Sequence, residues 1–127
     1  MDVKKTIFKG KRLFTDNGKV NTGMDPVEFA KKMEEAGAGE LLLNSIDRDG
    51  TYEGYDLELV RAVSQAVNIP VIAIGGASSL DDFRAAVQNG ASAVAAGSMF
   101  VFQRPHNAVL ISYPGQNNLI EKVFNHF

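Results

Sequence analysis

Apolar residues along this chain fall into two kinds of block. Residues 40–46, 71–74 and 93–96 are short and almost continuously apolar, the pattern of strands buried on both faces of a parallel sheet. Between them, apolar residues recur every three or four positions. Phe29, Ala30, Met33 and Ala36 form one such face, and Leu59, Val60, Val63 and Val67 another, which predicts amphipathic helices. Asp25-Pro26-Val27-Glu28 supplies an N-cap acid, Pro at the first helical position and Glu at N3, and Gly37 supplies the stop. The second helix is expected from about Asp56 to Val67. Ser79 and Asp82 have capping-box spacing for a third, which ends at Asn89-Gly90.

The flanks are less regular. Residues 1–22 open with a few positions that could end a strand and then turn polar. Residues 12–15 and 19–21 bracket Asp16-Asn17-Gly18, a small hairpin whose Asn17-Gly18 meets the positive-φ requirement of a tight turn. Gly97-Ser98 open a short extra helix. The tail carries Pro105 and Pro114 and is expected to close in an amphipathic helix over residues 119–127. Strands alternating with helices of about ten residues imply right-handed βαβ units and a parallel sheet. Glu35-Ala36-Gly37-Ala38 and Gln88-Asn89-Gly90-Ala91, each just before a strand, are a weak internal echo of that unit.

Polar residues and glycines gather after every predicted strand: Asp2, residues 44–49, Gly75 to Ser78, and Gly97-Ser98. In parallel sheets the carboxyl ends of the strands carry the chemistry, so these turns should share one face. Val71-Ile72-Ala73-Ile74 runs into Gly75-Gly76 and then a capped helix. Such a turn aims backbone N–H groups and a helix dipole at one spot, which suits a phosphate. The same eight residues also fit a tight turn that binds nothing.

Composition narrows the classes. A formal net charge of −2 over 127 residues does not favour nucleic acid, and the absence of cysteine excludes disulfides and thiolate chemistry. No apolar run approaches the roughly 20 residues that span a bilayer. The charged start, Met1-Asp2-Val3-Lys4-Lys5, lacks the apolar stretch of a signal peptide, so the expected location is the cytoplasm. His106 and His126 lack metal-ligand spacing, and neither a metal nor a cofactor is expected. The Phe-rich ends read as core or interface.

Ser45-Ile46-Asp47-Arg48-Asp49-Gly50-Thr51, Ile74-Gly75-Gly76-Ala77 and Ala95-Ala96-Gly97-Ser98-Met99-Phe100 together resemble the C-terminal half of the cyclase subunit of imidazole glycerol phosphate synthase. Asn21-Thr22-Gly23 and Gly37-Ala38-Gly39-Glu40 fit the same pattern, and the resemblance covers roughly residues 1–102. The tail, Val109-Leu110-Ile111-Ser112-Tyr113-Pro114, looks more like a paralogous branch that accompanies sugar amidation in surface-polysaccharide clusters. The resemblance implies an α/β fold, the (β/α)4 half of a TIM-type (β/α)8 barrel with a truncated first strand. A complete barrel needs about 250 residues. One domain is expected over residues 1–127, with the half-barrel in 1–111 and a tail in 112–127.

The family's chemistry, by resemblance, is a lyase reaction. Ammonia from a glutaminase partner combines with a ribulosyl aminoimidazole carboxamide nucleotide to give imidazole glycerol phosphate. Two aspartates act as general acid and base, one from each half-barrel. Asp2 matches the C-terminal one, and the other has no counterpart here, so the isolated half is expected to be inactive. From the residues alone, Asp2 is equally a solvated terminal acid.

By the same resemblance Asp49 is expected to contact substrate hydroxyls, and Gly50, Gly75, Gly76, Gly97 and Ser98 to form one phosphate site. Asn44 either lines the pocket or only satisfies backbone groups. Asp47 is expected to pair with Arg48 or a loop amide. Ile74 departs from the small polar serine usual in the family. The alternative function is a catalytically silent phosphate-binding half-barrel, an assembly module. Because a four-stranded half-barrel leaves one sheet face bare, a two-fold homodimer that closes an eight-stranded barrel is also expected.

Overall fold

A computed structural model describes all 127 residues. The chain forms an α/β fold around a six-stranded, mostly parallel sheet, as in part of a (β/α) barrel. Its strands are β1 (Asp2–Thr6), β2 (Gly10–Thr15), β3 (Val20–Asn21), β4 (Leu41–Ser45), β5 (Val71–Ile74) and β6 (Ala93–Val94), in spatial order β3-β2-β1-β4-β5-β6. β1, β4, β5 and β6 run parallel, joined by α1 (Pro26–Glu35), α2 (Leu57–Ser64) and α3 (Leu80–Gln88).

The local signals act as expected. The Asp25 carboxylate accepts from the amides of Val27 and Glu28, with Pro26 in the first turn of α1. Asp56 caps α2 through the Leu59 amide. Ser79 and Asp82 complete a reciprocal capping box on α3. Asp16 and Asn17 at φ 52° and 54°, then Gly18 at 77°, make the β2–β3 turn.

The start of the chain differs from expectation. β1 begins at Asp2, as the truncated barrel strand should, but it runs on to Thr6 and forms a second hairpin with β2 that places Lys5 opposite Lys11 and Thr6 opposite Gly10. Its parallel pairing with β4 is nonetheless short, Asp2 with Asn44 and Val3 with Ser45. Beyond that, β2 satisfies the backbone of β1. Ile7 and Phe8 stand at the exposed tip of this hairpin.

The two faces of the sheet are unequal. Leu41, Leu43, Val71 and Ala73 point at the helices and are at most 5% exposed. With Leu59, Val60, Val63, Phe83 and Ala86 they make the core. The alternate positions face away from the helices, and Leu42 there is 48% exposed. After β6 come α4 (Ser98–Val101), the hairpin β7 (Phe102–Gln103) and β8 (Ala108–Val109), α5 (Gln116–Lys122) and a 3-10 turn (Phe124–His126). α5 packs on α3 and buries Val123, so the tail joins the helix layer and leaves the other sheet face bare.

Candidate functional site

The carboxyl ends of β4, β5 and β6 converge on one small pocket. It is lined by Asp49, Gly50, Tyr52, Gly75, Gly76, Ala77, Ala96, Gly97 and Ser98. Six of these are residues the sequence singled out: Asp49, Gly50, Gly75, Gly76, Gly97 and Ser98. The open space between them is about 10 Å³, room for roughly one water molecule.

The backbone explains why glycines are needed. Gly75 and Gly76 hold φ of 99° and 105°, which other residues rarely adopt. A Cβ on Gly75 would lie 2.7 Å from the Ser45 carbonyl oxygen and 3.0 Å from Asn44 Oδ1. One on Gly76 would run into the Gly54 carbonyl. The loop after β4 therefore lies flat on the paired glycines, and the Gly54 amide donates to the Gly76 carbonyl at 2.8 Å.

Which amides remain free differs from the simplest expectation. Asp82 Oδ2 accepts from the amides of Ser78 and Ser79 and from the Ser78 hydroxyl, at 2.8 to 3.0 Å. The first turn of α3 is thus occupied by its own carboxylate. Of the nine residues lining the pocket, only Asp49 donates its amide to a protein acceptor, the Ser45 carbonyl; the amides of Gly50, Tyr52, Gly75, Gly76, Ala77, Ala96, Gly97 and Ser98 donate to none. Gly76 and Ala77 are buried, and buried N–H groups without partners are rare. Donors of this kind gathered around one concavity are an arrangement that suits an anion.

Asp2 lies elsewhere, on the bare face. In register, Asp2 sits beside Asn44 and Asn44 beside Ile74, so the three form a row across the strands. Asn44 Nδ2 donates to Asp2 Oδ1 at 2.9 Å. That contact sets the amide's orientation and leaves Asn44 Oδ1 buried with no hydrogen-bond partner. Asp2 is the one carboxylate among the inward positions Asp2, Lys4, Leu42, Asn44, Ile72 and Ile74.

Asp47 is not paired with Arg48; its carboxylate accepts from the Lys5 amide at 2.6 Å and so ties the β4 loop to β1. Arg48 Nη1 instead donates to the Glu53 carbonyl at 2.9 Å. The tyrosines were not anticipated. Tyr52 lines the pocket and donates to the Ser98 carbonyl at 3.4 Å, and Tyr55 donates to the Ala95 carbonyl at 2.8 Å. Burial, with Asp82 nearby, pushes the Tyr55 hydroxyl well above the usual tyrosine range.

A larger cleft of about 950 Å³ opens beside the β1–β2 hairpin, between it and the start of α2. There Lys11 Nζ reaches Asp56 Oδ1 at 2.8 Å and Glu58 Oε2 at 2.9 Å. Burial opposes its charge, but these hydrogen bonds prevail and hold the Lys11 ammonium above its ordinary value. The sequence residues expected at the site do not line this cleft.

Comparison with known proteins accords with this geometry. The family model for histidine biosynthesis proteins matches residues 1–105. A Pseudomonas aeruginosa protein named as imidazole glycerol phosphate synthase subunit hisF2 is 48% identical over 120 residues, 94% of this chain and 48% of its own length. The imidazole glycerol phosphate synthase subunit HisF of Hyphomonas neptunium is 57% identical over 91 residues, 71% of this chain and 36% of that one. A solved FabK mutant from Thermotoga maritima superposes with a TM-score of 0.50 at 34% identity, over 61% of this chain and 27% of that one. The chain spans less than half the length of these curated relatives. With residues 1–105 matched, and with the loop residues Asp49, Gly50, Gly75, Gly76, Gly97 and Ser98 meeting in one pocket, the chain belongs to the histidine biosynthesis protein family.

Proposed function

We propose that this chain is the phosphate-binding, C-terminal half of a cyclase-type lyase. Its substrate is a phosphorylated ribulosyl aminoimidazole carboxamide nucleotide, which reacts with ammonia from a glutaminase subunit to give imidazole glycerol phosphate. The equivalent step in sugar amidation is the variant of this reading. The observation that carries it is the gathering of unpaired amides, among them those of Gly50, Gly76, Ala77 and Gly97, around one pocket. A phosphoryl group would seat across the mouth of this pocket, with its oxygens on those amides and on Ser98. Asp49 would contact substrate hydroxyls. Asp2 would act as general acid or base on the inner face, positioned by Asn44.

General acid–base catalysis of this kind needs a second carboxylate opposite Asp2, and the inner face carries none. A second copy is our proposed cover for that face, which would bring a second Asp2 and a second pocket to the same end. β2 occupies the free edge of β1, so closure requires this hairpin to move aside or the two faces to stack. Light scattering should then give twice 13.7 kDa; a stable monomer at micromolar concentration would remove the dimer.

The lone Asp2 also favours a second reading, a silent phosphate-binding module. The deciding assay supplies the ribulosyl nucleotide with an ammonium salt. Turnover that disappears in Asp2→Asn supports the lyase. Phosphate binding with no turnover at high ammonium supports the module.

A further inference from the structure

We propose that Arg104, carried by the tail hairpin β7–β8, supplies the cation of the phosphate site and sets its preference for a doubly charged phosphoryl group. This inference rests on the phosphate reading above and deepens it. A second pocket of about 270 Å³ adjoins the first, lined by Tyr52, Ser78, Met99, Phe102, Gln103, Arg104, Leu110 and Ser112. Tyr52 belongs to both pockets and is the wall between them.

Charge is the reason the site needs this neighbour. The only charged side chain lining the glycine pocket is Asp49, which repels an anion held on these amides. Neutral N–H donors alone bind a dianion less well than donors joined by a guanidinium. Arg48 is close in sequence but spends its guanidinium on the Glu53 carbonyl and faces the large cleft. Arg104 is the one charged residue in the adjoining pocket.

Its position is built rather than incidental. The Arg104 guanidinium carbon lies 4.8 Å from the centre of the Tyr52 ring, a cation–π stack. The hydroxyl of that same ring donates to the Ser98 carbonyl, at the start of α4 and on the rim of the glycine pocket. No carboxylate pairs with Arg104. A planar, unpaired guanidinium stacked on the shared wall keeps its donors for a ligand and loses little freedom on binding. The second pocket also offers the Ser112 hydroxyl around the same head group, while that of Ser78 is spent on Asp82.

The test uses the whole chain and inorganic phosphate, titrated by calorimetry at low ionic strength on both sides of the second phosphate ionisation. Wild type should bind, and bind more tightly once the phosphate is doubly charged. Arg104→Gln should weaken binding by about tenfold or more and lose much of that pH preference. Arg104→Lys should recover part of both, and circular dichroism should show that each variant is folded. Equal affinity and an unchanged pH profile in folded Arg104→Gln would overturn the role of Arg104 while leaving the phosphate site standing. Absence of binding in wild type would instead overturn the phosphate site, and this inference with it. Should Arg104→Gln unfold, Tyr52→Leu, which removes the stacking platform, should give the same loss of affinity and pH preference. Unchanged binding in that variant would overturn the proposal.

Discussion

The glycine pocket and the row that holds Asp2 sit at the same end of the sheet, yet they differ in how complete they are. The pocket is assembled from three successive loops, after β4, β5 and β6, that lie within one chain. Its donors are backbone amides, and two of them, Gly50 and Gly76, sit at φ of 74° and 105°, which glycine alone tolerates well. Asp2 has one side-chain hydrogen-bond partner, Asn44, stands beside Phe14 of β2, and lines an open concavity of about 470 Å³ with the β2–β3 hairpin. On the proposed function, anion binding would therefore be a local property of consecutive βα loops. On the same proposed function, proton transfer would depend on a carboxylate that another half, or another copy, brings.

The largest effect expected from this contrast is on turnover. In any assembly that turns over, Asp2→Asn should lower the rate by about 10²- to 10⁴-fold, the usual worth of a positioned acid or base. The affinity for inorganic phosphate should stay within a factor of two or so, measured by calorimetry, since the amides of the pocket are untouched. A parallel loss of phosphate affinity would merge the two regions into one.

Stability should respond in the opposite region. Gly76→Val adds a β-branched side chain at φ 105° against the Gly54 carbonyl. It should cost about 2–4 kcal/mol in denaturant unfolding and abolish phosphate binding. Leu43→Ala, on the helix-covered face at 2% exposure, should cost a similar 2–5 kcal/mol or so. Leu42→Ala, one residue away but facing the bare side, should cost under about 1.5 kcal/mol in the monomer. If Leu42→Ala proves as costly as Leu43→Ala and the cost grows with protein concentration, the bare face is covered in solution.

The smallest effect concerns pH. The raised Tyr55 hydroxyl is protonated in the folded chain where a free tyrosine would already ionise. Its contribution is present below about pH 10, the unfolded value, and is lost as pH rises beyond it. Lys11, also raised, loses its share in the same alkaline range. Tyr55→Phe should flatten the alkaline fall in melting temperature relative to wild type, at the cost of the bond to the Ala95 carbonyl. A fall of equal steepness in both would show that Tyr55 does not report on the loop packing.

Much of this was legible beforehand because it is local. Asp25-Pro26, Ser79 with Asp82, and Asn17-Gly18 each state their own cap or turn within four residues, and each acts as read. The six pocket residues were legible because strand ends of parallel sheets meet on one side. What escaped was tertiary. The β1–β2 hairpin was missed because Ile7-Phe8, an apolar pair at a turn, looks like no turn signal, and only pairing with Gly10 to Thr15 makes β1 continue. The release of the Gly76 and Ala77 amides was hidden too, because Asp82 satisfies Ser78 and Ser79 first. Tyr52 acquires its place from contacts with Ser98 and Arg104, residues 46 and more positions away. β6 and α2 are shorter than their apolar runs, although Ala95 still donates to the Ala73 carbonyl and Ala66 to the Val63 carbonyl just past their ends.

The most direct measurement of the central claim is an amide chemical-shift titration of the isotopically labelled chain with inorganic phosphate. The account predicts saturable shifts concentrated on the backbone amides of Gly50, Gly76, Ala77 and Gly97, with Asp2 and Asn44 nearly still. Shifts that leave those four amides in place, or that centre on the row of Asp2 and Asn44, would contradict it.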